Sequence, residues 1–158
     1  MPLPKHILVL TALAFSITLS TKAQNNDCAD CSCFANHSLT WHVETDKKGR
    51  EYLVRGDSLK QKHLGLNHII SSFNATRKVT IKLVKTENKT VYVKILNNTY
   101  LQQMGLAGVQ WYLACLTYTL TETPAHNRIY IDLEEGDHTG PPSFYNRNAF
   151  KRQFIICE

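Results

Sequence analysis

LQQMGLAGVQWYLACLTYTLT, residues Leu101 to Thr121, contains no Asp, Glu, Lys or Arg. Its apolar residues recur at helical spacing: Leu106, Val109, Leu113, Leu116 and Leu120 share one face, with Trp111, Cys115 and Tyr118 beside it. A helix without charge must be covered on more than one side. Its Thr, Gln and Tyr side chains can hydrogen-bond internally without the desolvation cost of a buried ion. We read it as the core helix of a domain, lying between a sheet and a second layer. It does not read as a membrane span, because Gln102, Gln103, Gln110 and the Thr residues interrupt the apolar run of about 20 residues that a bilayer requires.

The strands on either side of this helix set the fold class. Upstream, Lys78 to Lys85 and Thr90 to Leu96 alternate, with Val79, Ile81 and Leu83 on one face and Val91, Val93 and Ile95 on the matching one. Thr86 to Lys89 closes them into a hairpin. Downstream, Pro124 and Asn127 stop the helix and Arg128 to Leu133 gives another alternating strand. Strand, helix, strand is a crossover, which lays the helix across Val91, Val93, Ile95, Ile129 and Ile131. Closer to the N-terminus, Ser38 to Glu44 and Glu51 to Arg55 read as a hairpin around Gly49. Asp57 or Ser58 then caps a shorter helix carrying Leu66, Ile69, Ile70 and Phe73, with Gly65 weakening its middle. The expected fold is α+β: a mixed or antiparallel sheet built from hairpins, packed on the charge-free central helix and the shorter first helix.

At the N-terminus, Lys5 precedes an apolar run from Ile7 to Leu19 and a small-residue stretch ending at Ala23. This pattern predicts a secretory signal peptide over residues 1–23, a mature start near Gln24, and a secreted or periplasmic location. No Cys follows the cleavage site directly, which disfavours a lipoprotein. Removing the signal leaves 16 basic and 13 acidic residues, a mild excess spread along the chain. Nucleic-acid binding would call for a denser basic stripe and a recognisable module, so no nucleic-acid partner is expected.

Residues 24–37 form a polar arm holding Cys28, Cys31 and Cys33; Cys115 and Cys157 complete an odd set of five. In an exported chain these predict one or two disulfides drawn from Cys28, Cys31, Cys33 and Cys157, one of which fastens the arm to the C-terminus. Cys115 lies inside the core helix and reads as a small buried residue. The alternative is a Zn or Cu site on the C-x2-C-x-C spacing, which lacks the second CxxC or His pair of a strong zinc pattern.

The order of these elements resembles a known family. The Trp41-His42-Val43 strand, the Asp46 to Gly49 turn, Leu53-Val54-Arg55, the short apolar helix and the Val79 to Leu96 hairpin lead into Tyr118-Thr119-Leu120-Thr121-Glu122-Thr123-Pro124. Then comes the Ile129-Tyr130-Ile131 strand, with Gly136 after it. This succession looks like the GerMN domain of spore-germination and cell-envelope proteins, whose aliphatic-x-Thr-Leu-Thr-Glu-x-Pro run is matched here at the helix end. The resemblance covers residues 38–136, leaving 137–158 as a C-terminal extension packed on the domain. It implies a non-enzymatic exported module with an envelope protein or cell-wall polymer as partner, and no cofactor.

Little in the chain reads as reactive chemistry. Glu134, Glu135, Asp137 and His138 surround Gly136, and Glu134, Asp137 and His138 are the alternative cation ligands. Asp137 with His138 is also the one acid and base pair on which a hydrolase reading would rest. Adjacent residues in a turn seldom converge on one ion, so a solvated strand end is the expected role. Arg55-Gly56-Asp57 matches an integrin-binding tripeptide and is read as a turn. No catalytic residue is assigned.

Overall fold

The computed structural model describes residues 31–34, 38–60 and 64–158. The expected signal peptide, Cys28 and the side chain of Cys33 lie outside the described residues. In chain order the elements are β1 (His42–Thr45), β2 (Glu51–Val54), α1 (Leu66–Ala75), β3 (Ile81–Glu87), β4 (Thr90–Ile95), α2 (Asn98–Gln103), α3 (Gly105–Leu120), β5 (Arg128–Asp132), β6 (Ser143–Tyr145) and β7 (Ile155–Cys157). Short 3-10 turns at Cys31–Phe34, Asp57–Lys60 and Arg147–Ala149 join them.

Two mixed sheets result, ordered β1-β2-β7 and β3-β4-β5-β6, and the fold is α+β. The crossover expected from the sequence is present: β4 and β5 pair in parallel, Val91 opposite Ile129 and Val93 opposite Ile131, with α2 and α3 between them in the chain. Those four side chains are fully buried and share one core with Leu113, Leu116 and Leu120 of α3 and with Ile69, Ile70 and Phe73 of α1. Every residue of α3 from Tyr112 to Leu120 is buried, which is why this helix carries no charge. The two Tyr hydroxyls within it find carbonyls, Tyr112 on Val79 at 3.4 Å and Tyr118 on Arg147 at 3.3 Å.

The structure corrects the sequence reading at five places. The central helix is two helices: α2 ends at Gln103, and α3 starts after Met104 with Gly105, whose left-handed φ of +67° breaks the helical path. Leu106, placed on the buried face by its spacing, is 62% exposed just beyond that break. The first helix begins after Gly65 rather than running through it, and Asp57 and Ser58 belong to a separate 3-10 turn. The first strand is also shorter, opening at His42 after the fully buried Trp41. In the β3-β4 hairpin the turn itself is only Asn88-Lys89, both at positive φ (48° and 60°), the two-residue geometry that matches strand twist.

One side chain organises the turn of the β1-β2 hairpin. The Asp46 carboxylate accepts from the backbone N–H groups of Lys48 and Arg50 and from Arg50 Nε, at 2.9, 2.9 and 2.6 Å. Burial opposes its charge, but the Arg50 backbone N–H, the Arg50 guanidinium and the Lys48 N–H outweigh it, and the carboxyl titrates below its ordinary range. Its stabilisation is therefore complete above the ordinary carboxylate pKa of about 4 and is lost as pH falls through the lowered value. Urea midpoints measured between about pH 5 and pH 2 should accordingly fall more steeply for the natural chain than for Asp46→Asn. Parallel curves for the two proteins would show that this carboxylate does not hold the turn.

Candidate binding surfaces

Cys31 is bonded to Cys157, which fastens the arm to the C-terminal strand β7. Its sulfur is thereby unavailable to the three-thiolate site considered as an alternative. Cys115 is buried with a free thiol; burial pushes its pKa up to about 11, against the opposing pull of the nearby Arg77, and keeps it protonated at neutral pH.

Glu134, Glu135, Asp137 and His138 are all exposed at the end of β5. What organises this turn is a neutral side chain, Gln102. Its Nε2 donates to Thr139 Oγ1 at 2.5 Å and to the Glu134 carbonyl at 3.3 Å, and its Oε1 accepts from the His138 N–H at 3.4 Å. A Cβ at Gly136 would lie 2.3 Å from Gln102 Nε2, so a larger residue there would displace the Gln102 side chain from this turn. This is a close approach by α2, rather than the turn geometry expected from sequence. Among the described residues no group of three or more His, Cys, Asp or Glu side chains is placed to hold a metal ion.

Arg55-Gly56-Asp57 is a packing element. The Arg55 guanidinium pairs with Glu122, and a Cβ on Gly56 would overlap the Ser38 carbonyl oxygen at 2.2 Å. Glu122, 9% exposed, also accepts from Trp41 Nε1 at 2.8 Å and pairs with Arg147 Nη2 at 2.8 Å. The run that ends α3 thus does more than stop the helix. Thr119 Oγ1 accepts from the Trp41 N–H at 3.0 Å, and Thr121 Oγ1 accepts from Arg147 Nε at 3.1 Å. Arg147 Nη2 caps the Tyr118 and Thr121 carbonyls at 3.1 and 3.2 Å, a cation at the negative end of the helix.

The four-stranded sheet presents a different surface. Its inner face, Val91, Val93, Ile95, Ile129 and Ile131, is sealed by the helices. Alternation puts Tyr92, Lys94, Arg128, Tyr130 and Asp132 on the other face. Register then aligns one residue from each strand in a row: Lys85 opposite Tyr92, Tyr92 opposite Tyr130, and Tyr130 opposite Phe144. The three rings pack edge and tilt, with centroids 5.5 Å apart for Tyr92 and Tyr130 and 4.9 Å for Tyr130 and Phe144. Lys85 Nζ lies 4.7 Å from the Tyr92 ring centre, and the Arg128 guanidinium lies 4.9 Å from that of Phe144. Phe144 is 53% exposed.

The cations on this face are partly neutralised. Lys85 pairs with Glu87 at 2.8 Å and Lys94 with Asp132 at 3.2 Å. Sequence reasoning identified the strands carrying Tyr92 and Tyr130 but missed the row, because only the parallel β4-β5 pairing brings the rings side by side. Phe144 carried no signal at all, lying beyond Gly140-Pro141-Pro142 in a segment read merely as an extension. No helix among the described residues is long and apolar enough to cross a membrane. No protein-family model matches this sequence, and no match was found among curated proteins or solved structures.

Proposed function

We propose that this chain is an exported, non-enzymatic binding module of the cell envelope, GerMN-like in pattern, which holds a wall polysaccharide on the open face of its four-stranded sheet. The observation that carries this reading is the row Tyr92, Tyr130 and Phe144, three adjoining rings on a rigid sheet with a cation at each end. Saccharide rings offer an apolar C–H face to an aromatic side chain and hydroxyl or carboxylate groups to flanking Lys and Arg. An aromatic row that crosses the strands suits an extended polymer better than a compact solute. The pairing of Lys85 with Glu87 and of Lys94 with Asp132 leaves no continuous basic track for a phosphate backbone, which supports a sugar ligand over a nucleic acid.

The reading is tested by co-sedimenting the mature chain, from Gln24 onward, with insoluble peptidoglycan. Binding should saturate, and Phe144→Ala together with Tyr130→Ala should weaken it by about tenfold or more, about 1.4 kcal/mol. The inner face and its core are untouched by these changes, so circular dichroism should be unaltered. Binding that is absent, or equal in the natural chain and the double variant, would remove the sheet face from consideration.

A further inference from the structure

Away from the sheet face lies a cleft whose chemistry differs from it. It is a cleft of about 480 Å³ between β1, the Arg77 to Val79 segment that joins α1 to β3, and the α2-α3 junction. The left-handed turn at Gly105 restarts the chain in a new direction, and the cleft opens beside it. Val79, Tyr112 and Cys115 form a buried floor, and Trp111 stands half-buried in the wall. Tyr100 and Met104, 44% and 42% exposed, flank the mouth. Exposed large apolar side chains around a concave apolar floor are the usual form of a small-molecule site, and the volume falls within the customary range of about 300–1,000 Å³.

The charged side chains lining the cleft, Arg77 and Lys78, carry one sign, beside the neutral Gln103 and the imidazole of His42. Arg77 is fixed before any ligand arrives: Nη2 donates to the Trp41 carbonyl at 2.9 Å, Nη1 donates to Thr76 Oγ1 at 3.0 Å, and the guanidinium lies 3.9 Å from the Phe73 ring centre. Lys78 is exposed at the mouth, its Nζ 5.9 Å from the Tyr100 ring centre. No acidic side chain is among the described residues lining the cleft; Glu44, which faces His42 Nε2 at 3.5 Å, stands outside the lining. An apolar floor under two cations, one rigid and one free to swing, selects a ligand with an apolar body and a single negative head.

We infer that this cleft binds a small amphipathic anion, a carboxylate on an apolar body, with the body over Val79 and Met104 and the head between Arg77 and Lys78. This inference is independent of the sheet face. Titration calorimetry of the mature chain with octanoate, octanamide and octylamine tests it. Octanoate should bind saturably at one per chain, and the neutral amide and the cationic amine should each bind at least about tenfold more weakly. Lys78→Glu changes only an exposed side chain, so it should leave the melting temperature unchanged and weaken octanoate at least about threefold. Phe144→Ala, on the sheet face, should bind octanoate as the natural chain does. The absence of saturable octanoate binding would overturn the inference. So would equal affinity for octanoate and octanamide, or a Lys78→Glu variant with undiminished affinity.

Discussion

Glu122→Ala should lower the unfolding free energy by about 3–5 kcal/mol, because it strips the counter-charge from two arginines that are already largely out of water. For a domain of this size that is a fall in Tm on the order of 10–15 °C. Glu122 is shared by three donors from three parts of the chain: Trp41 Nε1, Arg55 and Arg147. Arg147 in turn lies over the Tyr118 ring at 4.8 Å and near the Trp41 ring at 5.4 Å, so its charge cannot swing into solvent without unstacking both. Arg55 Nε is buried with no hydrogen-bond partner among the described residues, which leaves Glu122 as its principal compensation. Glu122→Gln keeps an acceptor for the Trp41 indole and should lose less. Adding Arg55→Ala to Glu122→Ala should recover part of the loss, since the double variant buries one cation fewer. Urea denaturation of the four proteins decides the matter; a Glu122→Gln midpoint equal to the natural one would show that the charge itself is not needed.

The parts of this fold that were legible in the sequence are those set by local periodicity. Leu66, Ile69, Ile70 and Phe73 announced α1, and the alternation of Val91, Val93 and Ile95 announced β4. The crossover from β4 through the helix to β5 followed from chain order, although the sheet was left as mixed or antiparallel and the parallel register came only with the structure. What escaped was decided by residues distant in the chain. Gly105 looks like an ordinary small helical residue, and its left-handed break is stabilised by contacts that α2 makes elsewhere, through Gln102 to the Gly136 turn and Asn98 Oδ1 to the Glu134 N–H at 3.1 Å. Nor did any local pattern divide the strands into two sheets, because β7 joins β2 in parallel from the opposite end of the chain. The same limit applied to function. Glu122 could be read as part of a helix terminator, but Arg55 and Arg147 as its partners required the fold. The sequence also drew attention to clusters of potential metal ligands, the thiols of Cys28 to Cys33 and the ionisable groups of Glu134 to His138. The two surfaces proposed to bind are instead mostly aromatic and aliphatic, and their residues had been read as strand, core or C-terminal extension.

Reducing the Cys31–Cys157 disulfide should have the second large effect, a loss of about 2–5 kcal/mol. The bond spans a sequence separation of 126 residues, so cutting it releases nearly the whole domain as a larger unfolded ensemble. It also holds a short edge strand, which Phe154 and Ile156 otherwise tie to the main core. Strand β7 is three residues long, Ile155–Cys157, and among the described residues it pairs with β2 alone, where Val54 faces Cys157. The Arg55 N–H donates to the Cys157 carbonyl at 2.8 Å, so fraying of β7 reaches directly into the residue that pairs with Glu122. The apolar cover over this corner is small: Tyr52, Val54 and Cys157 with Cys31 and Phe34 packed on them, the Phe34 and Tyr52 rings 5.0 Å apart. Loss of the bond should therefore loosen the Cys31–Phe34 turn and β7 first, leaving the α3 core and the four-stranded sheet protected in hydrogen exchange. The measurement uses a chain in which Cys28 and Cys33 are Ser, denatured in urea with and without reductant. Adding Cys157→Ser should reproduce the reduced midpoint and make it insensitive to reductant. A midpoint that reductant does not move in the Cys31 and Cys157 chain would show that the clasp carries no stability, and that the arm is joined to the domain for some other purpose.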